Sequence, residues 1–341
     1  MKKARLTVSV AAIMAGAAFA SSTLANEVNI YSARHYDSDE ILYKAFTEET
    51  GIEVNVLEGD SDQLMQRMQR EGIASPADVM LTVDAGRLWR AEQDGLFQAV
   101  DSEELNERIP ESMRHPEGKW FGFSQRARAI FYNRENFDPS QISSYEDLAD
   151  PEFEGLVCIR SSNNIYNQSL LASMIEHHGE EGAEEWAQGV VNNLARSPEG
   201  GDTDQILGVA SGECGLGVAN HYYYVRLLHS DSESDREAAR KVGIIFPNQD
   251  DRGTHVNVGG AGLVANAQNP ENGIRFLEFL ASDQAQEVLA ERNYEFPVVA
   301  GIKKNPVLES WGDFARDDVN INVLGENNPE AIRIFDRVDW R

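Results

Sequence analysis

Tyrosines are the residues of this chain whose types and spacing point most directly to chemistry. Three are consecutive, Tyr222 to Tyr224, and they can be considered together with Tyr166 and the adjacent pair His35 and Tyr36. A phenol titrates near pH ~10, so a protein obtains phenolate at neutral pH only when a strong Lewis acid displaces the proton. Ferric iron does so, because it is a hard, highly charged cation that prefers anionic oxygen. These tyrosines therefore favour a phenolate cage for Fe3+.

The same residues also have a simpler interpretation. Adjacent aromatic side chains commonly pack against one another in a core, and a histidine beside a tyrosine is often an ordinary surface or core residue. Zinc or copper(I) would instead call for clusters of cysteine and histidine, whereas this chain has two cysteines. The tyrosines alone do not distinguish core packing from metal binding, so the distinction depends on the other segments of the chain.

The N-terminus has the order of a cleavable secretory signal. Basic residues at positions 2, 3 and 5 precede the apolar stretch Leu6–Ala20, and small residues follow before Asn26. This order is typical of a signal peptide, and the apolar stretch is shorter than the roughly 20 residues of a membrane-spanning helix. No cysteine follows the small residues, which argues against lipid attachment. We expect residues 1–25 to be a signal peptide that delivers the protein to the periplasm, with an uncleaved anchor as the alternative.

The chain is strongly acidic, with 57 Asp and Glu against 30 Lys and Arg and a formal net charge of -27. Nucleic acids and anionic membrane surfaces are bound by basic clusters, and the sequence has none. We therefore expect no nucleic-acid partner. The acidity by itself does not indicate cation binding, because a solvated acidic surface also keeps a protein soluble.

Strands alternate with helices along the chain. Glu27–Tyr31 is predicted to be a strand, Ser38–Thr50 a helix and Glu53–Leu57 the next strand, and Gly215–Ala219 is a strand that runs directly into the tyrosines. Such alternation implies βαβ units and a mostly parallel sheet. Tyr222 would then lie just past the carboxyl end of a strand, where open α/β sheets bind ligands. The length suits two lobes of ordinary domain size.

Three separated segments carry a family resemblance: Tyr31–Tyr36, Arg160–Gln168 and Asn220–Tyr223. In this order they resemble the ferric-binding proteins, particularly the cyanobacterial-type FutA group, among the periplasmic substrate-binding proteins of ABC transporters. The stretch Asn269–Gln286 looks like one common to many such proteins. The resemblance implies an α/β, two-lobed periplasmic binding protein fold of type II. Each lobe would have a mixed, mostly parallel sheet flanked by helices, with the ligand in the cleft between the lobes.

The resemblance also implies the residues of the site. Four phenolate ligands and one further candidate ligand are expected: Tyr36, Tyr166, Tyr222, Tyr223 and His35. The histidine that matches His35 binds metal in some members and is turned away in others. Tyr224 falls outside the family's Asn-x-Tyr-Tyr pattern, so we expect it to pack in the core.

Arginines are expected to balance the charge of the ligands. Four phenolates around Fe3+ leave a formal charge of -1, and an uncompensated buried charge is costly. Arg126 matches an arginine that the family places beside the ligands, and Arg226 would share a helical face with Tyr222, four residues before it. Relatives with fewer tyrosines recruit a carbonate or phosphate, whereas four tyrosines imply that no such synergistic anion is needed.

The division into lobes also follows from the resemblance. The N-terminal lobe would comprise residues 26–124 and 249–301, and the C-terminal lobe residues 125–248 and 302–341. Iron bound by tyrosines of both lobes would favour the closed state. The closed protein, expected to be a monomer, would dock on a membrane permease and its ATPase. Reopening, reduction to Fe2+ or protonation of the ligands could release the iron, and the sequence leaves these routes open.

The two cysteines, Cys158 and Cys214, occupy matching places in two strands that lead to ligand segments of the second lobe. In an oxidising periplasm they could form a disulfide. Two free buried thiols are the alternative. Their separation fits no metal motif.

Other functions remain as alternatives. The same fold could hold Fe2+ or a small organic ligand such as a polyamine or thiamine, with the tyrosines stacking on it. An enzyme is not expected, because the chain has no Gly-x-Ser-x-Gly elbow, no His-Glu-x-x-His helix and no phosphate-binding loop. The glycine cluster Gly259–Gly262 lacks the lysine and hydroxyl of that loop, and it indicates a tight crossing or close packing between lobes.

Overall fold

The computed structural model describes residues 26–34 and 36–341, so the predicted signal peptide and His35 lie outside the described residues. The strands are β1 (Glu27–Ser32), β2 (Glu53–Glu58), β3 (Val79–Val83), β4 (Phe121–Asn133), β5 (Val157–Cys158), β6 (Leu216–Asn220), β7 (Val242–Ile245), β8 (Val256–Leu263) and β9 (Phe296–Pro297). The α-helices are α1 (Asp37–Thr50), α2 (Ser61–Glu71), α3 (Ala85–Gln93), α4 (Glu103–Arg108), α5 (Ile165–Asn192), α6 (Asp202–Ser211), α7 (His221–Leu228), α8 (Glu233–Arg240), α9 (Pro270–Leu280), α10 (Asp283–Arg292), α11 (Pro306–Ser310), α12 (Asn322–Glu326) and α13 (Asn328–Arg337).

The four elements predicted from the alternation pattern are present, each to within a residue at either end. Local sequence explains where the helices begin and end. Gly51 takes a left-handed conformation (φ 70°) after α1 and donates its N–H to the Thr47 carbonyl at 2.9 Å, which glycine does without steric cost. Asp60 accepts hydrogen bonds from the backbone at the start of α2, the usual role of an N-cap carboxylate.

The strands form a mixed sheet in the order β2-β1-β3-β8-β4-β6-β5, with β7 and β9 also pairing with β4. Parallel pairing joins β1 to β2 and β3, and β5 to β6. By contrast, β4 pairs antiparallel with β6, β7, β8 and β9. The ends of the sheet therefore have the predicted parallel βαβ character, whereas its centre is antiparallel.

Strand β4 joins two halves of the molecule. Its pairing with β8 extends to Ala127, and its pairing with β6 begins at the next residue, Arg128. Arg126 and Arg128 lie two residues apart on this strand, so both side chains point to the same face. One continuous strand therefore carries two arginines across the junction.

Two large hydrophobic cores lie on either side of that junction. The first is built around β1, β3 and the helices that cover them, and the second around β5, β6, α5 and α13. The C-terminal region contributes to both: Leu308 and Leu324 belong to the first core, and Ile334 and Trp340 to the second. The division of the chain into lobes at the predicted residues stays a prediction.

Cys158 and Cys214 form a disulfide, with their Cα atoms 5.9 Å apart. The bond links β5 to the residues that precede β6, so the strand leading to the tyrosines is tied to its parallel neighbour. Across residues 26–34 and 36–341, no helix has the length and apolar character needed to cross a bilayer.

Candidate metal centre

Tyr222 and Tyr223 lie in the first turn of α7, which follows β6 directly after Asn220, as predicted for the carboxyl end of a strand. Their ring centroids are 4.3 Å apart, and the side chain of Tyr222 is buried. The Asn220 N–H donates to Oδ2 of Asp202 at 2.7 Å. This bond fixes the turn from strand to helix, and thereby the direction of both phenols.

Tyr166 comes from the first turn of α5, where the Asn164 side chain accepts a hydrogen bond from the Tyr166 N–H at 3.2 Å. Its hydroxyl lies 3.4 Å from the hydroxyl of Tyr222. Two phenol oxygens from segments more than fifty residues apart thus meet. Two phenol hydroxyls directed at each other are more than ring packing requires, which favours a role for these tyrosines as ligands.

Arg226 connects Tyr36, which directly precedes α1, to the tyrosines of α7. The guanidinium carbon of Arg226 lies 4.5 Å from the ring centroid of Tyr36, 4.8 Å from that of Tyr222 and 5.7 Å from that of Tyr223. Its Nη2 donates to Oδ1 of Asn293 at 2.6 Å, which holds the side chain in place. A permanent cation therefore lies among three phenol rings.

Arg126 reaches the same cluster from β4, with its guanidinium carbon 6.0 Å from the Tyr222 ring centroid. Its Nε donates to Oε1 of the buried Glu295 at 2.6 Å, and Nη1 of Arg34 donates to the other carboxylate oxygen at 3.4 Å. Within the described part of the chain, the two terminal nitrogens of Arg126 have no hydrogen-bond partner. They are thus free to interact with charge that develops on the tyrosines.

Gly259 makes room for the guanidinium groups of Arg34 and Arg126. A Cβ atom there would lie 2.6 Å from Nη2 of Arg126 and 2.8 Å from Nη1 of Arg34. Gly259 therefore leaves the space that the two guanidinium groups fill. Close packing is thus present at Gly259 of the glycine cluster, while packing between lobes stays a prediction.

Burial dominates the electrostatics of the phenols. It raises the pKa of Tyr222 well above its ordinary value, and the phenols of Tyr166 and Tyr36 raise it further, while Arg126 lowers it. Burial likewise raises the pKa of Tyr223. The phenols of Tyr222 and Tyr223 are therefore protonated in the metal-free protein at neutral pH. A ligand that binds their ionised form has to displace protons.

A second group of charges fixes the other side of Tyr166. Asp202 accepts hydrogen bonds from Nη1 of Arg128 at 2.8 Å and from Nη1 of Arg160 at 3.4 Å. The guanidinium carbons of both arginines lie 5.8 Å from the ring centroid of Tyr166. A small cavity lined by Arg126, Arg128 and Tyr166, among others, lies between the two charge groups.

His221 is adjacent to Tyr222 but is engaged elsewhere. Its Nδ1 accepts a hydrogen bond from the Ala127 N–H at 3.1 Å, so the proton lies on Nε2, which donates to the Tyr294 carbonyl at 2.8 Å. Burial lowers the pKa of His221 to about 4. The ring is therefore neutral and both nitrogens are occupied, which suits a residue that orients α7 rather than a ligand.

The structure thus brings the four predicted tyrosines and both predicted arginines into one cluster, while their role as ligands stays a prediction. The Tyr224 hydroxyl donates to the Val242 carbonyl at 3.1 Å, and its ring packs 5.6 Å from that of Phe131, as expected for a core residue. Among residues 26–34 and 36–341, no group of three His, Cys, Asp or Glu side chains could hold a metal. Sequence reasoning missed Glu295, Asn293 and Arg34, for which no local pattern gave a signal.

Residues 74–315 match the model of a family described as bacterial extracellular solute-binding protein. Among curated proteins, the chain is 51% identical over 315 residues to Iron uptake protein A1 of Synechocystis sp., and the match covers 92% of this chain and 88% of that protein.

Solved structures give the same result. A Trichodesmium protein described as "(IdiA) (FutA) in complex with iron and citrate ligands" superposes with a TM-score of 0.90 at 52% identity, over 92% of this chain and 100% of that one. The ferric binding protein from Campylobacter jejuni gives 0.87 at 41% identity, over 92% and 100%. The predicted two-lobed periplasmic binding protein fold is confirmed by these likenesses.

Proposed function

Because this chain belongs to the family of bacterial extracellular solute-binding proteins, we propose that it captures Fe3+ between its two lobes and delivers it to an ABC importer. The observation that carries this proposal is the convergence of phenols. The hydroxyls of Tyr166 and Tyr222 lie 3.4 Å apart, and Arg226 contacts the rings of Tyr36, Tyr222 and Tyr223. A small organic ligand has no need of several phenol oxygens directed at one point.

The charges around the tyrosines fit a ferric complex. Four phenolates and Fe3+ together carry one negative charge. Arg34, Arg126 and Arg226 lie around the tyrosines, and the carboxylates of Asp39 and Glu295 pair with the first two. This set has one positive charge left over, which equals the negative charge of the complex in size, and Arg128 and Arg160 with Asp202 leave a second positive charge beside Tyr166. The Trichodesmium structure includes citrate as well as iron, so the absence of an anion at this site stays a prediction.

Iron would bind in the following order. The phenols of Tyr166, Tyr222 and Tyr223 lie close together and would receive the ion first, each losing its proton as its oxygen coordinates. Tyr36, whose ring contacts Arg226, would complete the shell, so that the closed arrangement binds iron more tightly than the open one. Arg126 and Arg226 would stabilise the resulting negative charge. His35 is the remaining candidate ligand.

The cellular setting belongs to the same proposal. Residues 1–25 would act as a cleaved signal peptide and place the mature protein in the periplasm. There it would act as a monomer, docking in its iron-loaded form on a permease with an associated ATPase. The family is described as solute-binding, and we assign no enzymatic step to the tyrosines.

A visible-absorption titration tests the function. Chelator-stripped protein is titrated with ferric citrate, and a phenolate-to-iron charge-transfer band should saturate at one iron per chain. The Tyr222→Phe/Tyr223→Phe double variant should lose the band. Tyr224→Phe is the matched control, because it removes a phenol from the same run whose hydroxyl bonds to Val242, and it should keep the band.

No band in the wild type would refute the ferric phenolate site. Calorimetry with Fe2+ under anaerobic conditions, and with a polyamine or thiamine, would then distinguish the two alternative ligand classes. A band that persists in the double variant would place the iron at other residues and refute the assignment of Tyr222 and Tyr223.

A further inference from the structure

Asp84 is a buried carboxylate beside the tyrosine cluster, where it lines the same small cavity as Arg126 and Tyr166. It lies between β3 and α3, and its neighbours Val83 and Ala85 are also buried. Its backbone has φ 81° and ψ 128°, a strained conformation that is uncommon for a residue other than glycine. Strain of this kind persists only where the surrounding contacts require it.

The contacts of Asp84 within its own half of the molecule hold the loop rigid. Its N–H donates to the Val258 carbonyl at 2.7 Å, and Oδ1 accepts the Gly86 N–H at 2.9 Å at the start of α3. Oδ2 accepts from Nδ2 of Asn257 at 2.9 Å. Asn257 lies opposite Arg126 in the pairing of β8 with β4, so the loop is fixed relative to the tyrosine cluster.

One contact of Asp84 leaves its own half. Ser169 on α5 donates its hydroxyl to Oδ1 of Asp84 at 2.7 Å, and neither residue has any exposed surface. Ala85 and Leu88 on the Asp84 side belong to the first hydrophobic core, whereas Leu170 and Leu171 beside Ser169 belong to the second. This charge-assisted hydrogen bond therefore joins the two halves.

The place of Ser169 on α5 links this bond to the predicted site. Ser169 follows Tyr166 by three residues, so both side chains lie on one face of the helix. The backbone of Gly86 also approaches α5 closely, since a Cβ atom there would lie 3.4 Å from the Ile165 side chain. The α3 terminus thus seats against the first turn of α5, from which Tyr166 projects.

We infer that the hydrogen bond between Asp84 and Ser169 is a closure latch, which holds the two lobes together when iron is bound without touching the metal. The inference rests on the proposed function. Separation of the lobes gives water access to both groups, so the bond contributes in the closed form and not in the open one. Removing the Ser169 hydroxyl leaves Oδ1 of the buried carboxylate with one donor fewer in the closed form.

Loss of the latch lowers the fraction of molecules in the closed form, and the apparent iron affinity falls by the same factor. Loss of a hydrogen bond to a charged group changes an equilibrium constant by roughly tenfold to a hundredfold. The experiment measures ferric affinity of Ser169→Ala by competition with citrate, using the charge-transfer band. We expect a fall of that size with an unchanged band maximum, because the ligands are untouched.

Ser61→Ala is the matched control. Ser61 is a buried serine whose hydroxyl lies 2.6 Å from that of Thr82, within the first core region. Its loss should lower the stability of the iron-free and iron-loaded protein alike and leave the affinity unchanged. The latch would be overturned if Ser169→Ala bound iron as tightly as Ser61→Ala does, or if its charge-transfer band were shifted.

A second variant distinguishes loss of the hydrogen bond from a general loss of folding stability. Asp84→Asn keeps a side chain that can cap α3 and tolerates positive φ, but it removes the charge. It should also weaken iron binding, and the Asp84→Asn/Ser169→Ala double variant should lose less affinity than the product of the two single effects. Full multiplicativity would show that the residues act separately and would overturn the proposal.

Small-angle scattering separates this inference from the function itself. Iron-free Ser169→Ala should have a larger radius of gyration than the iron-free wild type, because fewer molecules are closed. A wild type without the charge-transfer band would refute iron binding. Scattering of the iron-free proteins would then be the only test of the latch. Equal radii of gyration for wild type and Ser169→Ala would overturn it.

Discussion

Replacement of Glu295 by glutamine tests the charge network beside the tyrosines. Burial by itself raises the pKa of Glu295, but Arg126 and Arg34 outweigh it and lower the pKa from 4.5 to about 2. One pKa unit corresponds to about 1.4 kcal/mol, so the carboxylate contributes about 3 kcal/mol to stability at neutral pH. This agrees with the roughly 3–5 kcal/mol cost of breaking a buried ion pair.

The pH dependence follows from the direction of this shift. A carboxylate whose pKa is lower in the folded state contributes its full stability above its unfolded pKa, here near 4.5, and loses it as the pH falls towards 2. Glu295→Gln should therefore be less stable than wild type by about 3 kcal/mol at pH 7. The difference should shrink as the pH falls from 4.5 towards 3.

Urea unfolding of chelator-stripped protein at a series of pH values measures the effect. Glu146→Gln is the control, because Glu146 pairs with Arg252 and also has its pKa lowered to about 2, but its side chain is 33% exposed. Water screens such a pair, so we expect a loss of about 1 kcal/mol or less. Equal losses in the two variants, or a Glu295 effect that does not change between pH 7 and pH 3, would refute the electrostatic reasoning.

Three further outcomes are expected. Arg226→Met should weaken ferric binding by about tenfold in competition with citrate, because the cation beside three phenol rings is lost; unchanged affinity would contradict this role. Iron binding should release about four protons per ion in a pH-stat titration, since a tyrosine phenol has to lose its proton to coordinate Fe3+ as phenolate, and release of two or fewer would contradict four phenolate ligands. Replacing Cys158 and Cys214 by serine should lower the free energy of unfolding by about 4 kcal/mol, from the 56-residue separation, and reductant should then have no effect.

Local patterns in the sequence predicted the strands and helices that depend mainly on neighbouring residues. The alternation of apolar residues located β1 and β2, and the strand before the tyrosines ends within a residue of its predicted end. The end of that strand placed Tyr222 where open α/β sheets bind ligands. The resemblance to ferric-binding proteins supplied the predicted ligand set, Tyr36, Tyr166, Tyr222 and Tyr223.

The rest depends on contacts between distant residues. Arg34 and Glu295 are 261 residues apart, and Asp84 and Ser169 are 85 apart. A buried carboxylate between arginines has no periodic pattern in the sequence, so neither pair could be found before the fold was known. The antiparallel centre of the sheet was missed for a similar reason, because β4 and β8 meet only through a long connection.

The long strand β4 also restricts how the protein can vary. Arg126 and Arg128 point to the same face because they are two residues apart, and they lie on either side of the place where the strand changes partners. Inserting or deleting one residue upstream of this pair within the strand would turn both guanidinium groups to the opposite face. The register shift between Gly122 and Ser124 already takes up one residue of this strand upstream of the pair, so related proteins should differ in length at that irregularity or in the loops around the strand, and keep the spacing between Arg126 and Arg128.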